Sequence, residues 1–359
     1  MTIVGIVGAG VMGAGISQVA LEAGWEVVLH DVDVDTIERA TARIREGLAR
    51  RAAKLELDAD SIDAWVDGRL DRLRHAHILD GLAAEATIII EAALEDLDLK
   101  QTIFRALDAE ATPDVLLATN TSALSVTAIA EVAAQPERVL GLHFFNPVPL
   151  MQLVEVVPGA RTSPGVIERA TAIVREWGKT PILSADRPGF IVNRVNRPFT
   201  IEALRMLEEG VASILAIDEA IRAAGYPMGP FELMDLAGLD VNLAAARGVW
   251  TGLGQPERLT PSPIQERLVA AGRLGRKTGS GFYRYEDGRR REVDPEFGDA
   301  PARGLSAERI QGRIEAAVSE EARFAVEERV AAPEDVVMAL RLGAGHPERA
   351  LAAILSALS

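Results

Sequence analysis

Short apolar runs rich in β-branched residues alternate with helical patterns over the first half of the chain. The strand-like runs lie at 3–7, 26–30, 87–92, 115–119 and 139–143, and the first helical pattern lies at 11–23. Alternation of this kind predicts an α/β fold in which helices cover a parallel sheet. The continuous apolar run Ile3–Val7 suits a strand that is buried on both faces.

Two long helical patterns, at 34–56 and 61–70, interrupt this alternation and predict a helical hairpin inserted at about 34–70. Glu46 is the single acidic residue from position 39 to 54. The basic residues of the same stretch are Arg39, Arg43, Arg45, Arg50, Arg51 and Lys54. This charge pattern fits either a positive patch or an ordinary solvated helix face.

The sequence Asp-Arg-Pro-Gly at 186–189 has the composition of a hinge. It separates a predicted first domain, 1–186, from an all-helical domain at 187–285. A polar stretch rich in Arg, Asp, Pro and Gly follows at 286–304 and is interpreted as a linker.

The tail at 305–359 resembles a degenerate copy of the preceding helical segment. Glu-Ala-Leu at 202–204 and Glu-Glu-Gly-Val at 208–211 have loose counterparts in Glu-Ala-Arg at 321–323 and Glu-Glu-Arg-Val at 327–330. Tyr226-Pro227 has an echo in His346-Pro347. We expect this second helical unit to pack on the first, although unrelated amphipathic helices could produce the same pattern.

Composition excludes several classes of protein. The 359 residues carry a net charge of −15, which disfavours nucleic acids and acidic membranes. Cysteine is absent and the five histidines have no metal-binding spacing, so no metal site is expected. No apolar run is long enough to span a bilayer, and the chain opens directly into a strand pattern. A cytoplasmic location is therefore expected.

A glycine motif links the first strand to the first helix. Gly8, Gly10 and Gly13 form Gly-x-Gly-x-x-Gly, with Val11 and Met12 in the variable positions. Glycines here permit a tight turn, close approach of a pyrophosphate and helix–strand packing. Asp31 ends the next strand, where its carboxylate can accept a hydrogen bond from a ribose 2′-hydroxyl and repel a 2′-phosphate. The pattern predicts a Rossmann-type, doubly wound NAD-binding domain; a glycine turn without a ligand is the alternative.

Several ordered motifs between about residues 3 and 285 resemble the 3-hydroxyacyl-CoA dehydrogenase family. They are Glu-Ala-Ala-Leu-Glu-Asp at 91–96, Ala-Thr-Asn-Thr-Ser at 118–122, Gly-Leu-His-Phe-Phe-Asn-Pro-Val-Pro at 141–149, Pro-Gly-Phe-Ile-Val-Asn-Arg at 188–194, Gly-Tyr-Pro-Met-Gly-Pro-Phe-Glu-Leu at 225–233 and Gly-Arg-Lys-Thr-Gly at 275–279. The resemblance implies NAD-dependent oxidation of the 3-hydroxyl of a short acyl-CoA.

The resemblance assigns His143 as the general base and Glu155 as its partner carboxylate. Imidazole suits proton transfer near neutral pH. A loop and a second strand are expected between the two residues, and an antiparallel return could bring them together. Ser122 would hydrogen-bond the reacting oxygen or the histidine, and Asn193 would help to hold the substrate oxygens. Taken alone, Ser122 could be a helix N-cap and Asn193 a helix-surface amide.

The same resemblance implies further contacts with both ligands. The residues expected to line the cofactor site are Glu95, Lys100, Asn120, Asn146 and Lys277. The basic hairpin would hold the CoA phosphates, with Arg51 and Lys54 as candidates.

The tail departs from the short form of the family. Gly312 falls where the first copy has Asn193, so the second unit is expected to be catalytically silent. Packed on the first copy, it could replace a partner subunit, which leaves both a homodimer and an intrachain substitute open. Two other functions also stay open: a dehydrogenase of a free hydroxy acid, and a non-catalytic NAD-binding protein.

Overall fold

The computed structural model describes residues 2–76, 78–298 and 304–358. The chain divides into two compact units, residues 1–186 and 187–359.

The first unit is built on one eight-stranded sheet. Its strands are β1 (Ile3–Val7), β2 (Glu26–His30), β3 (Leu73–Ala76), β4 (Ile88–Glu91), β5 (Leu116–Thr119), β6 (Val139–Phe144), β7 (Leu153–Pro158) and β8 (Thr180–Leu183). The spatial order is β3-β2-β1-β4-β5-β6-β7-β8. Strands β1 to β6 run parallel, β7 is antiparallel to β6, and β8 is parallel to β7. The predicted Rossmann-type sheet is confirmed, with an antiparallel extension at one side.

The strand pattern missed β3 and β8 because both lie at edges of the sheet. Strand β3 exposes Arg74 and His75, and β8 contains Pro181. Edge strands are paired on one side only, so they carry polar residues and proline where a central strand is apolar.

Helices cover both faces of this sheet. They are α1 (Val11–Glu22), α2 (Val34–Lys54), α3 (Ala59–Leu70), α4 (Leu79–Ala83), α5 (Leu97–Glu110), α6 (Val126–Ala130) and α7 (Pro164–Glu176). Successive side chains of a strand point to opposite faces. Ile88 and Ile90 accordingly join one apolar core, and Ile89 joins the other.

Helices α2 and α3 form the predicted hairpin. The side chain of Asp33 caps α2 by accepting from the N–H of Asp35, and Arg45 pairs with Asp67 of α3 at 2.9 Å. Gly47 lets α2 pass close to α1, because a Cβ at this position would lie 2.0 Å from Oε1 of Gln18. The hairpin is therefore held against the helix that follows the glycine motif.

The second unit is mainly helical. Its helices are α8 (Val192–Val195), α9 (Arg197–Glu208), α10 (Ile214–Ala223), α11 (Pro230–Ala237), α12 (Leu239–Gly252), α13 (Pro263–Ala270), α14 (Ala307–Glu327), α15 (Pro333–Ala344) and α16 (Glu348–Leu358). Within the described residues, no helix of either unit is long and apolar enough to cross a membrane.

An antiparallel hairpin corrects two predictions, that this unit is all-helical and that a linker begins at residue 286. Strands β9 (Tyr283–Glu286) and β10 (Arg289–Val293) pair across a turn in which Asp287 and Gly288 both have positive φ. Asp-Gly is a strong hairpin-turn signal, which the polar composition of the stretch concealed. Residues 299–303 of the predicted linker lie outside the described residues.

Helices α14 to α16 pack on the preceding helices, as the repeat predicted. Arg194 is fully buried on α8 and forms two bonds of 2.8 Å to the tail, from Nε to Oε1 of Glu321 and from Nη1 to Oε2 of Glu328. The second copy thus supplies both counter-charges for a guanidinium of the first.

The converse ion pairs are also present. Arg313 follows Gly312 as Arg194 follows Asn193, and its Nε donates to Oε1 of Glu202 at 2.7 Å. Its Nη1 donates to Oε2 of Glu209 at 2.8 Å. Each copy therefore offers an arginine to two glutamates of the other, which is the reciprocity expected of a two-fold interface.

Aromatic contacts complete this interface. Tyr226 and His346, which occupy matching positions in the two copies, have ring centroids 5.0 Å apart. Tyr226 Oη lies 3.3 Å from Oε1 of Glu315, and His346 Nε2 lies 2.8 Å from Oδ1 of Asn196. These contacts have the reciprocal pattern of a two-fold arrangement within one chain.

Candidate active site

The glycine loop has the geometry that its sequence predicted. Gly8 has φ +103°, and a Cβ on Gly13 would lie 1.8 Å from the carbonyl oxygen of Gly8. A Cβ on Gly10 would meet nothing within 4 Å, so the space in front of this residue is open. Helix α1 begins after Gly10 without a side-chain cap, so its first N–H groups are available to a phosphate.

The carboxylate of Asp31 lies beside this loop. Its Oδ2 accepts from the N–H of Ala9 at 2.8 Å. Met12 packs against the apolar core behind the loop, whereas Val11 is 53% exposed. The structure therefore brings together the glycines and the acid that the sequence assigned to the cofactor.

His143 and Glu155 are directly opposite each other on β6 and β7. Nδ1 of His143 lies 2.6 Å from Oε2 of Glu155. The histidine is 5% exposed and the glutamate is fully buried. The antiparallel pairing thus brings together two residues that are twelve positions apart.

The chemistry of this contact fixes the state of the imidazole. With Glu155 ionised, its carboxylate can only accept a hydrogen bond, and Nδ1 of His143 is then the atom that carries the hydrogen. The lone pair of a neutral ring then lies on Nε2, which is the atom able to take a proton. The ring of Phe145 lies against the imidazole, with centroids 4.4 Å apart.

Glu95 organises the loop after β5. Its Oε1 accepts from Oγ1 of Thr121 at 2.6 Å, from the N–H of Ser122 at 2.8 Å and from the N–H of Ala123 at 3.0 Å. Burial raises the pKa of Glu95, but these hydrogen bonds and the charge of Lys100 outweigh burial and hold the pKa below its usual value. Glu95 is therefore an anion at neutral pH.

Ser122 lies in this loop rather than at a helix cap. Its Oγ is 3.3 Å from Oε1 of Glu95. The following helix, α6, is capped by Ser125, whose side chain accepts from the N–H of Ala128. The alternative interpretation of Ser122 as an N-cap is therefore wrong.

Lys100 forms a buried ion pair with Glu91 and also contacts Glu95. Nζ of Lys100 lies 2.6 Å from Oε1 of Glu91 and 3.4 Å from Oε2 of Glu95. Oε2 of Glu91 accepts from Oγ1 of Thr119 at 2.6 Å. Lys100 is 1% exposed, and its contact with a ribose stays a prediction. Glu91 was not among the predicted site residues, although an acid that ends the apolar run Ile-Ile-Ile is a signal of a buried partner.

Asn120 and Asn146 both lie at the carboxyl end of β6. Oδ1 of Asn120 accepts from the N–H of Phe144 at 2.8 Å, which ties the end of β5 to the end of β6. Asn146 follows β6 and lines a cavity. The segment after it is held by Lys179, whose Nζ donates to the carbonyl oxygens of Val148 and Met151 at 2.7 and 2.8 Å. Burial lowers the pKa of Lys179 to about 8.

The cavity beside α1 has a volume of about 510 Å³ and a basic lining. Glu22 is its acidic member and lies 3.7 Å from Arg51. The basic residues are Arg43, Arg50, Arg51, Lys54 and Lys179. Other basic residues of the hairpin, Arg39 and Arg45, pair with acids on its exposed surface. Helix α2 thus carries both a positive patch, which lines the cavity, and an ordinary solvated face. Arg51 and Lys54 belong to the positive patch.

Two predicted site residues, Asn193 and Lys277, belong to the second unit. Asn193 lies on α8, and Nζ of Lys277 contacts the two carboxylate oxygens of Asp240 at 2.6 and 2.7 Å. Their contacts with substrate and cofactor stay predictions.

Comparisons with known proteins cover both units. Residues 3–187 match the NAD-binding domain of 3-hydroxyacyl-CoA dehydrogenase, and residues 189–285 match its C-terminal domain. The chain belongs to the 3-hydroxyacyl-CoA dehydrogenase family.

Individual relatives agree. A 3-hydroxyadipyl-CoA dehydrogenase of Escherichia coli is 45% identical over 281 residues, which are 78% of this chain and 58% of that protein. A 3-hydroxybutyryl-CoA dehydrogenase of Bradyrhizobium diazoefficiens is 41% identical over 283 residues, which are 79% of this chain and 94% of the relative. A crystal structure of 3-hydroxybutyryl-CoA dehydrogenase from E. coli K12 superposes with TM-score 0.84 and 34% identity, covering 99% of this chain and 94% of that one.

Membership of this family makes the chain an NAD-dependent oxidoreductase that acts on 3-hydroxyacyl-CoA. The residues present fit NAD: an open Gly10, an uncapped helix N-terminus and Asp31 are what a pyrophosphate and an unphosphorylated ribose require.

The open space at Gly10 gives a prediction for cofactor binding. Gly10→Ala should leave the melting temperature of the cofactor-free protein unchanged, because the added Cβ meets no protein atom. It should weaken NADH binding by about 10-fold or more, because the methyl group occupies the place of the pyrophosphate. Thermal unfolding and NADH fluorescence titration measure the two effects. Gly68→Ala, which also meets no atom within 4 Å, is the control. NADH affinity equal to that of the wild type would contradict the assignment.

Proposed function

We propose that the chain oxidises short-chain (S)-3-hydroxyacyl-CoA to 3-ketoacyl-CoA and catalyses the reverse reaction, with His143 as general base. The observation that carries this proposal is the 2.6 Å contact between Nδ1 of His143 and the buried carboxylate of Glu155. An imidazole held in one orientation by a carboxylate is the group that alcohol oxidation requires.

Each residue of the proposed site has a separate role in the reaction. Nε2 of His143 removes the hydroxyl proton, and Glu155 stabilises the imidazolium that forms. Bound NAD would supply the acceptor for the hydride that leaves the hydroxyl-bearing carbon. Ser122 and Asn193 hydrogen-bond the substrate oxygen, whose charge changes during the reaction. Glu95 and Lys100 hold the loop that carries Ser122.

The basic cavity favours a CoA thioester over a free hydroxy acid. CoA carries several phosphate charges, and Arg43, Arg50, Arg51 and Lys54 supply cations in a chain of net charge −15. A free hydroxy acid would leave this cluster without a ligand. The formed His143–Glu155 pair likewise argues against a non-catalytic NAD-binding protein.

Substitution of the acid–base pair tests the catalytic assignment. His143→Gln and Glu155→Gln should each lower kcat by roughly 10²–10⁴-fold, because the base is lost or loses its orientation. NADH binding should be unchanged. The measurement is NADH consumption with acetoacetyl-CoA. His75→Gln, on the exposed face of edge strand β3, is the control. Full activity in either variant of the pair would refute the assignment.

The proposed contacts of Arg51 and Lys54 with the CoA phosphates can be tested separately from catalysis. Arg51→Ala and Lys54→Ala should each raise KM for acetoacetyl-CoA by about 5- to 10-fold, with little change in kcat, because each removes one phosphate contact. The acetoacetyl thioester of N-acetylcysteamine, which has no phosphates, should show no change in KM. Arg39→Ala is the control, since Arg39 pairs with Asp33. An equal effect on both thioesters would show that these side chains do not bind phosphate.

We also propose that the second helical unit replaces a partner subunit. The reciprocal pairs of Arg194 and Arg313 have the symmetry of a dimer contact and lie within one chain. The surface of the first copy that could bind another chain is thereby covered.

Light scattering coupled to gel filtration tests whether the second helical unit replaces a partner subunit. The intact chain should elute with the mass of a single chain, 38.4 kDa, across a wide range of concentrations. A dimer mass that persists on dilution would show that the internal contact does not take the place of a subunit.

A further inference from the structure

Arg197, at the start of α9, is a buried cation to which no acid of residues 2–76, 78–298 or 304–358 supplies a counter-charge. It is 7% exposed, and its Nε has no hydrogen-bond partner. Its Nη1 reaches the carbonyl oxygen of Asn242 only at 3.5 Å. Burial lowers the pKa of Arg197 to about 10, so the side chain remains charged at neutral pH. A buried charge in this state is costly unless a ligand supplies the missing anion.

The other buried arginines of the described residues are paired. Arg194 binds Glu321 and Glu328, and Arg138 binds Asp108 at 2.9 Å. The acid nearest in sequence to the Asn242 carbonyl, Asp240, is already bound to Lys277. The fold therefore neutralises its other buried guanidinium groups and leaves Arg197 with a neutral carbonyl.

Arg197 lies four residues after Asn193 along one helical path. The N–H of Asn196 donates to the carbonyl oxygen of Val192 at 3.0 Å, so the backbone stays helical up to the start of α9. Four residues advance a helix by about 6 Å and return to nearly the same face. A group bound at Arg197 would thus lie a few methylenes away from an oxygen bound at Asn193.

We propose that Arg197 binds a carboxylate at the far end of the acyl chain, so that the enzyme prefers 3-hydroxy-dicarboxyl-CoA thioesters. This inference rests on the proposed function and specifies its substrate class. A guanidinium presents paired N–H donors that match a carboxylate. An acyl chain that ends in a methyl group leaves the same guanidinium unpaired, which disfavours its binding.

Two thioesters of equal chain length test the proposal, 3-hydroxyadipyl-CoA and 3-hydroxyhexanoyl-CoA. The wild type should show a kcat/KM about 10-fold or more higher for the diacid. Arg197→Met should lower this value for the diacid by about 10²-fold and leave that for the hexanoyl substrate unchanged or higher. Arg197→Lys should restore part of the preference. Arg205→Met, a less buried position on the same helix, should preserve it.

Thermal unfolding separates binding from structure. Arg197→Met removes an unpaired buried charge, so its melting temperature should equal or exceed that of the wild type. An equal loss of kcat/KM on both thioesters would overturn the proposal, since a contact with a CoA phosphate or a structural role gives that result. If the wild type oxidises the hexanoyl substrate at least as well as the diacid, this inference alone fails. If it oxidises neither, the proposed function fails with it.

Discussion

The hydrogen bond between His143 and Glu155 depends on the register of two strands. Both side chains lie on the same face because β6 and β7 pair with these residues directly opposite. A slip of one residue would turn one of them to the other face of the sheet. The antiparallel extension of the Rossmann sheet is thus what allows a strand-end histidine to meet a fully buried carboxylate. The chemistry depends on backbone pairing before it depends on any side-chain rotamer.

In this acidic chain, the buried acid beside the proposed active site and the cations of the cavity lie in different places. Glu91 is fully buried, and hydrogen bonds from Lys100 and Thr119 satisfy its carboxyl oxygens in place of water. Cations are concentrated instead on the face of α2 that lines the cavity. A net charge of −15 repels phosphate groups, and the proposed role of α2 in CoA binding requires its local positive charge to outweigh that repulsion.

Central features of the fold could be predicted from sequence, because periodicity and glycine geometry are local properties. The bounds of β1 and β2 and the α2–α3 hairpin follow from apolar patterns. Strands β3 and β8 could not be predicted, since their pairing at a sheet edge leaves no apolar run. The roles of Glu91 and Lys179 were also missed, because a buried lysine and a surface lysine look alike until tertiary contacts desolvate one of them. The motifs around His143 predicted its partner; Arg197 carried no such motif.

The internal repeat has a consequence for how this enzyme can evolve. In a symmetric homodimer every mutation enters both halves of the interface together, so a change must suit itself. Here the two halves are encoded separately, and each can change alone. The position equivalent to Asn193 is occupied by Gly312, and the position equivalent to Tyr226 is occupied by His346. Under the proposed duplication, the two sides of the contact are no longer bound to be identical, and both retain their reciprocal arginines.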